Sequence, residues 1–192
     1  YTVTLKETTE GEKGYNLIKG SSDTVKKGEN YQFYVIPKTG YQAPKVTVTR
    51  GESDSASISP SEDGTVLYTV SDIQSNITIT IDEAQPQPYT VNFIPGDEYS
   101  FEGANSTTIS NDKATVNYGG SVSFKVNLDN DYNKSDVTVY ANGSMLTAVN
   151  NVYTINRITV DQTVSVVGVE KNKYTVTLPT NTNGYYITTV DP

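Results

Sequence analysis

An internal repeat constrains this chain more than any other feature, because a unit written twice must bury its own apolar face twice. The pentad YTVTL at Tyr1 returns as YTVNF at Tyr89 and as YTVTL at Tyr174. TVKKGENYQFYV at Thr24 aligns with TVNYGGSVSFKV at Thr115, so Val25, Gly28, Phe33 and Val35 fall on Val116, Gly119, Phe124 and Val126, an offset of 91. Tyr41 and Tyr132 keep that offset, whereas YTVSDIQSNITITI at Tyr68 meets YTINRITVDQTVSV at Tyr153 at an offset of 85. The opening strands differ by 88, and the changes fall in stretches rich in Gly, Ser, Asn and Asp, where surface loops absorb insertions. The reading is one module over residues 1–88, a second over 89–173 and the start of a truncated third over 174–192. QPQP before Tyr89 and EKNK before Tyr174 act as short junctions.

Within each module the apolar period is two. YTVTL, YQFYVI, KVTVTR, LYTV and ITITI alternate or are β-branched, the signature of strands. KKGEN, PKTGY, EDGT, NYGGS, DNDYN and ANGS separate them as turns, and Asn142-Gly143 is the strongest hairpin signal because both residues tolerate the positive φ of a type I′ turn. No window carries an apolar helical stripe. The expected fold is all-β: two tandem small β-sandwich (Ig-like) or β-grasp-like modules plus the truncated third repeat. Val3, Leu5, Phe33, Val35, Val46, Val48, Val70, Ile73, Ile79 and Ile81 are the expected first core. Val91, Phe93, Phe124, Val126, Val137, Val139, Ile155, Ile158, Val164 and Val166 are the expected second.

Composition narrows function by exclusion. A net charge of -8 opposes nucleic acid, which demands a basic footprint, and anionic membrane surfaces. No apolar run is long enough to span a bilayer as a helix. The chain has no Cys, His or Trp, so disulfides, thiolate metal sites and Ser-His-Asp catalysis have no residues to use. It begins at Tyr1 without a signal region, so a fragment or mature piece is expected.

The opening YTVTL, the central V-x-x-G-x-x-x-x-F-x-V with its following Tyr, and the closing YTI-x-x-I-x-x-D-x-T-V resemble the divergent internalin-type B-repeats and bacterial Ig-like modules of surface proteins. The resemblance covers the whole chain. It implies a secreted or wall-attached multi-domain bacterial protein, with these non-enzymatic modules as stalk, spacer or adhesive segment. The implied partners are neighbouring domains of the same protein and a host or dietary glycan or protein, with the chain itself a monomer. The alternative is a carbohydrate-binding accessory region of a secreted glycosidase.

Candidate chemistry is sparse. NLDNDYNKSDVTV places Asp129, Asp131 and Asp136 in near alternation, a loose calcium candidate. An EF-hand counted from Asp129 needs Gly at position six and Glu at position twelve, and finds Lys134 and Tyr140. The matching first-module loop, PKTGYQAPK, has no carboxylate, so a turn built on Asx residues is the favoured reading. Tyr1, Tyr89 and Tyr174 recur at module starts and read as junction packing. Tyr15, Tyr99, Tyr185 and Tyr186 read as non-repeated, exposed aromatics able to contact a ligand. Lys6 and Asn76 sit on a first and a last strand, an arrangement similar to the Lys–Asn crosslinks of some bacterial surface domains. The second module carries Ile94 near the place of Lys6. No cofactor is expected.

Overall fold

A computed structural model describes residues 1–8, 13–20, 22–51, 54–61, 66–177 and 184. These residues form strands and no helix, arranged as four sheets around two cores. The first core lies between a sheet ordered β1-β7-β4-β5 and a sheet ordered β2-β3-β6. Its strands are β1 (Val3–Glu7), β2 (Tyr15–Ile18), β3 (Tyr31–Pro37), β4 (Val46–Arg50), β5 (Asp54–Ile58), β6 (Leu67–Val70) and β7 (Ile77–Ile81). The second core uses β8 (Pro88–Phe93), β9 (Tyr99–Ala104), β10 (Lys113–Asn117), β11 (Val122–Leu128), β12 (Thr138–Ala141), β13 (Ser144–Leu146), β14 (Tyr153–Ile155) and β15 (Gln162–Val167). They pair as β10-β8-β15-β12-β13 and β14-β11-β9.

The alternation of the strands sets their faces. In β3 Tyr31, Phe33 and Val35 point inward, and in β7 Ile77, Ile79 and Ile81 do the same. Phe33 stacks on Tyr68 with ring centroids 5.3 Å apart, and the counterparts Phe124 and Tyr153 repeat the stack at 5.6 Å. The expected core residues are buried except Leu5, Val137 and Val166, which are half-buried. Tyr31, Tyr68, Ile77, Ala84, Val122 and Ala141 join them.

The first and last strands of each sandwich run parallel. Val3 faces Ile77 and Glu7 faces Ile81, and the repeat places Val91 opposite Gln162. An immunoglobulin constant domain divides its seven strands as ABED and CFG. Here the first, seventh, fourth and fifth share a sheet, so the sandwich connectivity is a different one.

One polar tie repeats at the foot of the parallel pair. Thr2 N–H donates to Asn76 Oδ1 at 2.8 Å, and Thr90 N–H donates to Asp161 Oδ1 at 2.8 Å. Asn76 is therefore engaged by Thr2, while Lys6 faces Thr80 several rungs away, which leaves no crosslinking geometry. A second repeated tie uses glycines at positive φ. Gly28 N–H donates to Ile73 O at 2.8 Å and Gly119 N–H to Ile158 O at 2.7 Å. The sandwiches differ at β10, a full strand beside β8, whose first-sandwich counterpart is the single bridge between Thr2 and Thr24.

Turn chemistry follows the Asx content. Asn142 (φ 45°) and Gly143 (φ 79°) close the β12–β13 hairpin, as the sequence indicates. Asn111-Asp112 and Asn150-Asn151 adopt the same doubly positive φ between bridged Ser110–Lys113 and Val149–Val152. These residues tolerate left-handed backbone because their short side chains bond locally.

Burial fixes a pH response. Burial first, then the charges of Glu7 and Asp82, push the Tyr15 phenol from 10.0 up to about 12. Burial also raises Tyr31 and Tyr68 in the first core and Tyr99 in the second. A raised phenol keeps its full stabilising contribution below the unfolded value near 10 and loses it as pH climbs through the folded value near 12. Calorimetry across that window will show the first sandwich weakening more steeply than the second. Tyr15→Phe will flatten the first transition's pH dependence by up to about 2 kcal/mol. Parallel decline of both transitions would contradict this assignment.

Candidate functional site: the joint between the sandwiches

The residues that connect the two cores are hydrogen-bonded on both sides. The chain leaves the first core at Ala84, which is buried and whose N–H donates to Lys13 O at 3.1 Å. Pro86 then bridges Tyr41; Gln42 N–H donates to Gln85 O at 2.8 Å and Gln87 N–H to Gly40 O at 2.7 Å. Pro86 and Pro88 have no N–H, and they occupy positions where none is used. Gln87 O accepts Tyr118 N–H at 2.8 Å, which extends the β8–β10 ladder backward into the junction. One extended segment is thus shared by both sandwiches.

Side chains close the contact. The Tyr118 ring lies over Gly40, where an added Cβ would sit 2.3 Å from a ring carbon. Gly40 also has φ +84°, so two separate reasons require glycine there. Tyr89 packs against Tyr118 with centroids 6.3 Å apart, which gives the recurring module-start tyrosine a junction contact in this copy.

The strap repeats at the end of the second sandwich. Asn172 N–H donates to Asp131 O, the counterpart of the Gln87–Gly40 bond. The Asn172 side chain then fills the acidic loop. Its Nδ2 donates to Asn130 O at 2.8 Å and Asn133 Oδ1 at 3.0 Å, and its Oδ1 accepts Lys134 N–H at 3.0 Å. Ser135 Oγ donates to Glu170 O and accepts Glu170 N–H. Two successive turns, Tyr132 N–H to Asp129 O and Ser135 N–H to Tyr132 O, complete the loop. Among the described residues no three His, Cys, Asp or Glu side chains gather into a metal cage, so Asp129, Asp131 and Asp136 are not brought together as one. Glu170 and Asn172 of EKNK thus clamp this loop.

Two of the four tyrosines expected on the surface lie elsewhere. Tyr15 is 5% exposed, a member of the first core, and Tyr99 is half-buried with its hydroxyl donating to Ile94 O at 3.1 Å. The ladders also make them counterparts, since Tyr15 faces Pro37 and Tyr99 faces Leu128. They are a repeated pair at an offset of 84, not a pair of singletons. Tyr185 and Tyr186 lie outside the described residues, as do most of residues 174–192. Tyr174 is exposed at 72%, with Lys134 Nζ 4.1 Å from its ring centroid.

Among the described residues no helix is long and apolar enough to cross a membrane. No protein-family model matches the chain, and no match to a curated protein was found.

Removing the clamp should be felt locally. Asn172→Ala removes the three side-chain hydrogen bonds that hold the acidic loop and is expected to lower the second sandwich's stability by about 1–2 kcal/mol. Its melting transition will fall while the first stays in place, and millimolar calcium or chelator will leave both unchanged. A calcium-dependent rise abolished by Asp131→Ala would contradict the turn assignment.

Proposed function

We propose that the chain is a non-enzymatic spacer, a pair of extracellular repeat modules in the stalk or adhesive segment of a bacterial cell-surface protein. The observation that carries this reading is the parallel pairing of first and last strands. When those strands run antiparallel, a module receives and releases its chain at one end. When they run parallel, the chain comes in at one end of the sheet and leaves at the other. Each module then advances the chain by roughly 20 Å, the length of its five- or six-residue first and last strands at about 3.3 Å per residue.

Distance alone does not make a stalk; the joint must also resist bending. A Gly/Ser linker behaves as a coil whose reach grows only with the square root of its length. The shared segment from Gln85 to Phe93, bonded to both sandwiches, and the Tyr118–Gly40 seat favour a stiff connection.

Small-angle scattering tests this reading. The chain is expected to scatter as a particle of single, well-defined maximum dimension. Gly40→Val, which displaces the Tyr118 ring, will broaden the distance distribution without unfolding either sandwich. Wild-type scattering already typical of two freely hinged bodies would contradict the spacer reading.

A further inference from the structure

We propose that the outer face of the β2–β3–β6 sheet is a docking platform for a neutral polysaccharide. The proposal goes beyond the spacer reading and does not rest on it.

The face is set by the strand ladders. Ile18 is opposite Tyr34, and Tyr34 is opposite Leu67, so one apolar row crosses all three strands on the side away from the core. Ile18 is 52% exposed and Tyr34 41% exposed, with Leu67 half-buried. Contiguity separates this row from the scattered apolar residues that any surface carries.

The second sandwich supplies an internal control. At the same rungs of its β9–β11 ladder, Glu102 stands opposite Lys125, and Asn127 Nδ2 donates to Glu102 Oε2 at 3.0 Å. The same fold therefore carries charged residues at these positions. Packing does not require Ile18 and Tyr34 to be apolar, and exposing them brings no folding gain.

The rim identifies the occupant. The other outward side chains of the three strands are Asn16, Gln32, Ile36 and Thr69, with no Asp, Glu, Lys or Arg among them, in a chain of net charge -8. Gln32 Nε2 donates to Thr69 Oγ1 at 3.2 Å, which leaves the amide oxygen and the hydroxyl proton free to meet ligand hydroxyls. A sugar ring presents an apolar C–H face and a rim of hydroxyls, complementary to a Tyr flanked by aliphatics and edged with amides. The row covers on the order of 100–200 Å², from strand spacing and rise, far below the roughly 800 Å² per partner of a stable protein interface. A short stretch of neutral glycan fits that area; a folded protein partner does not.

The test transplants the second sandwich's row into the first. The chain and its Ile18→Glu/Tyr34→Lys variant are run in native gels cast with soluble starch, galactomannan or xyloglucan, with polygalacturonate as the anionic comparator. The expected result is retardation by at least one neutral polysaccharide and none by polygalacturonate, with affinity falling at least about tenfold in the variant. The variant's melting temperature verifies folding, and Tyr34→Thr alone serves if the double variant is unstable. The proposal is overturned by free migration in every neutral gel, by equal retardation in polygalacturonate, or by unchanged retardation of the folded variant. Concentration-dependent dimerisation lost in the variant would also overturn it, assigning the face to a second copy. Scattering reads the spacer function separately, so either idea can fail alone.

Discussion

The parallel pairing of first and last strands is the constraint on which the rest depends. Parallel ladders are slightly weaker per residue than antiparallel ones, and no tight turn sets their register. Both sandwiches supply that register by the same means. An Asx side chain ahead of the last strand, Asn76 or Asp161, accepts the backbone N–H of Thr2 or Thr90. An amide in one copy and a carboxylate in the other place an acceptor oxygen at the same point, each 2.8 Å from the N–H it receives. The buried Ile73 and Ile158 add a second tie, each accepting from the glycine N–H of Gly28 or Gly119 and donating to the carbonyl of the residue after it.

With the direction of the chain fixed, the joint decides what the repeat can do mechanically. The strap bond, from Gln87 or Asn172 to the carbonyl of Gly40 or Asp131, is common to both copies. The side chains around it are not. Gly40 seats an aromatic ring, whereas Asp131 carries a side chain where Gly40 has none. Gly14 likewise gives space to the Tyr41 ring, which packs on the first core, while its counterpart Glu98 gives none, and Tyr132 does not join the second core. The backbone scheme is held constant and the contacts laid on it vary.

Much of this was legible from alternation alone. A period of two says which side chains share a face, and Phe33, Val35, Val46, Val48, Ile79 and Ile81 follow it into the core. It does not say which strands are neighbours, so sheet order and the parallel pair were invisible. Tyr15 and Tyr99 were misplaced for a narrower reason. The offset shifts to 84 over β2 and β9, which hid their correspondence, and a large polar aromatic resembles a surface group until its ladder partner is known. The clamp made by Asn172 depends on backbone contacts some 40 residues apart, and no local signal marks these. Asn111-Asp112 and Asn150-Asn151 carry a signal of their own: two consecutive Asx residues between strand segments indicate left-handed turns as Asn-Gly does.

The central claim is that the two sandwiches form one stiff body through the shared segment at residues 85–93. Residual dipolar couplings from the intact chain in a weakly aligning medium test it most directly, because they report orientation rather than contact. The account predicts that couplings from β1–β7 and from β8–β15 fit a single alignment tensor of common magnitude and axes. Two tensors of different magnitude would contradict it, showing that the sandwiches reorient independently about the junction.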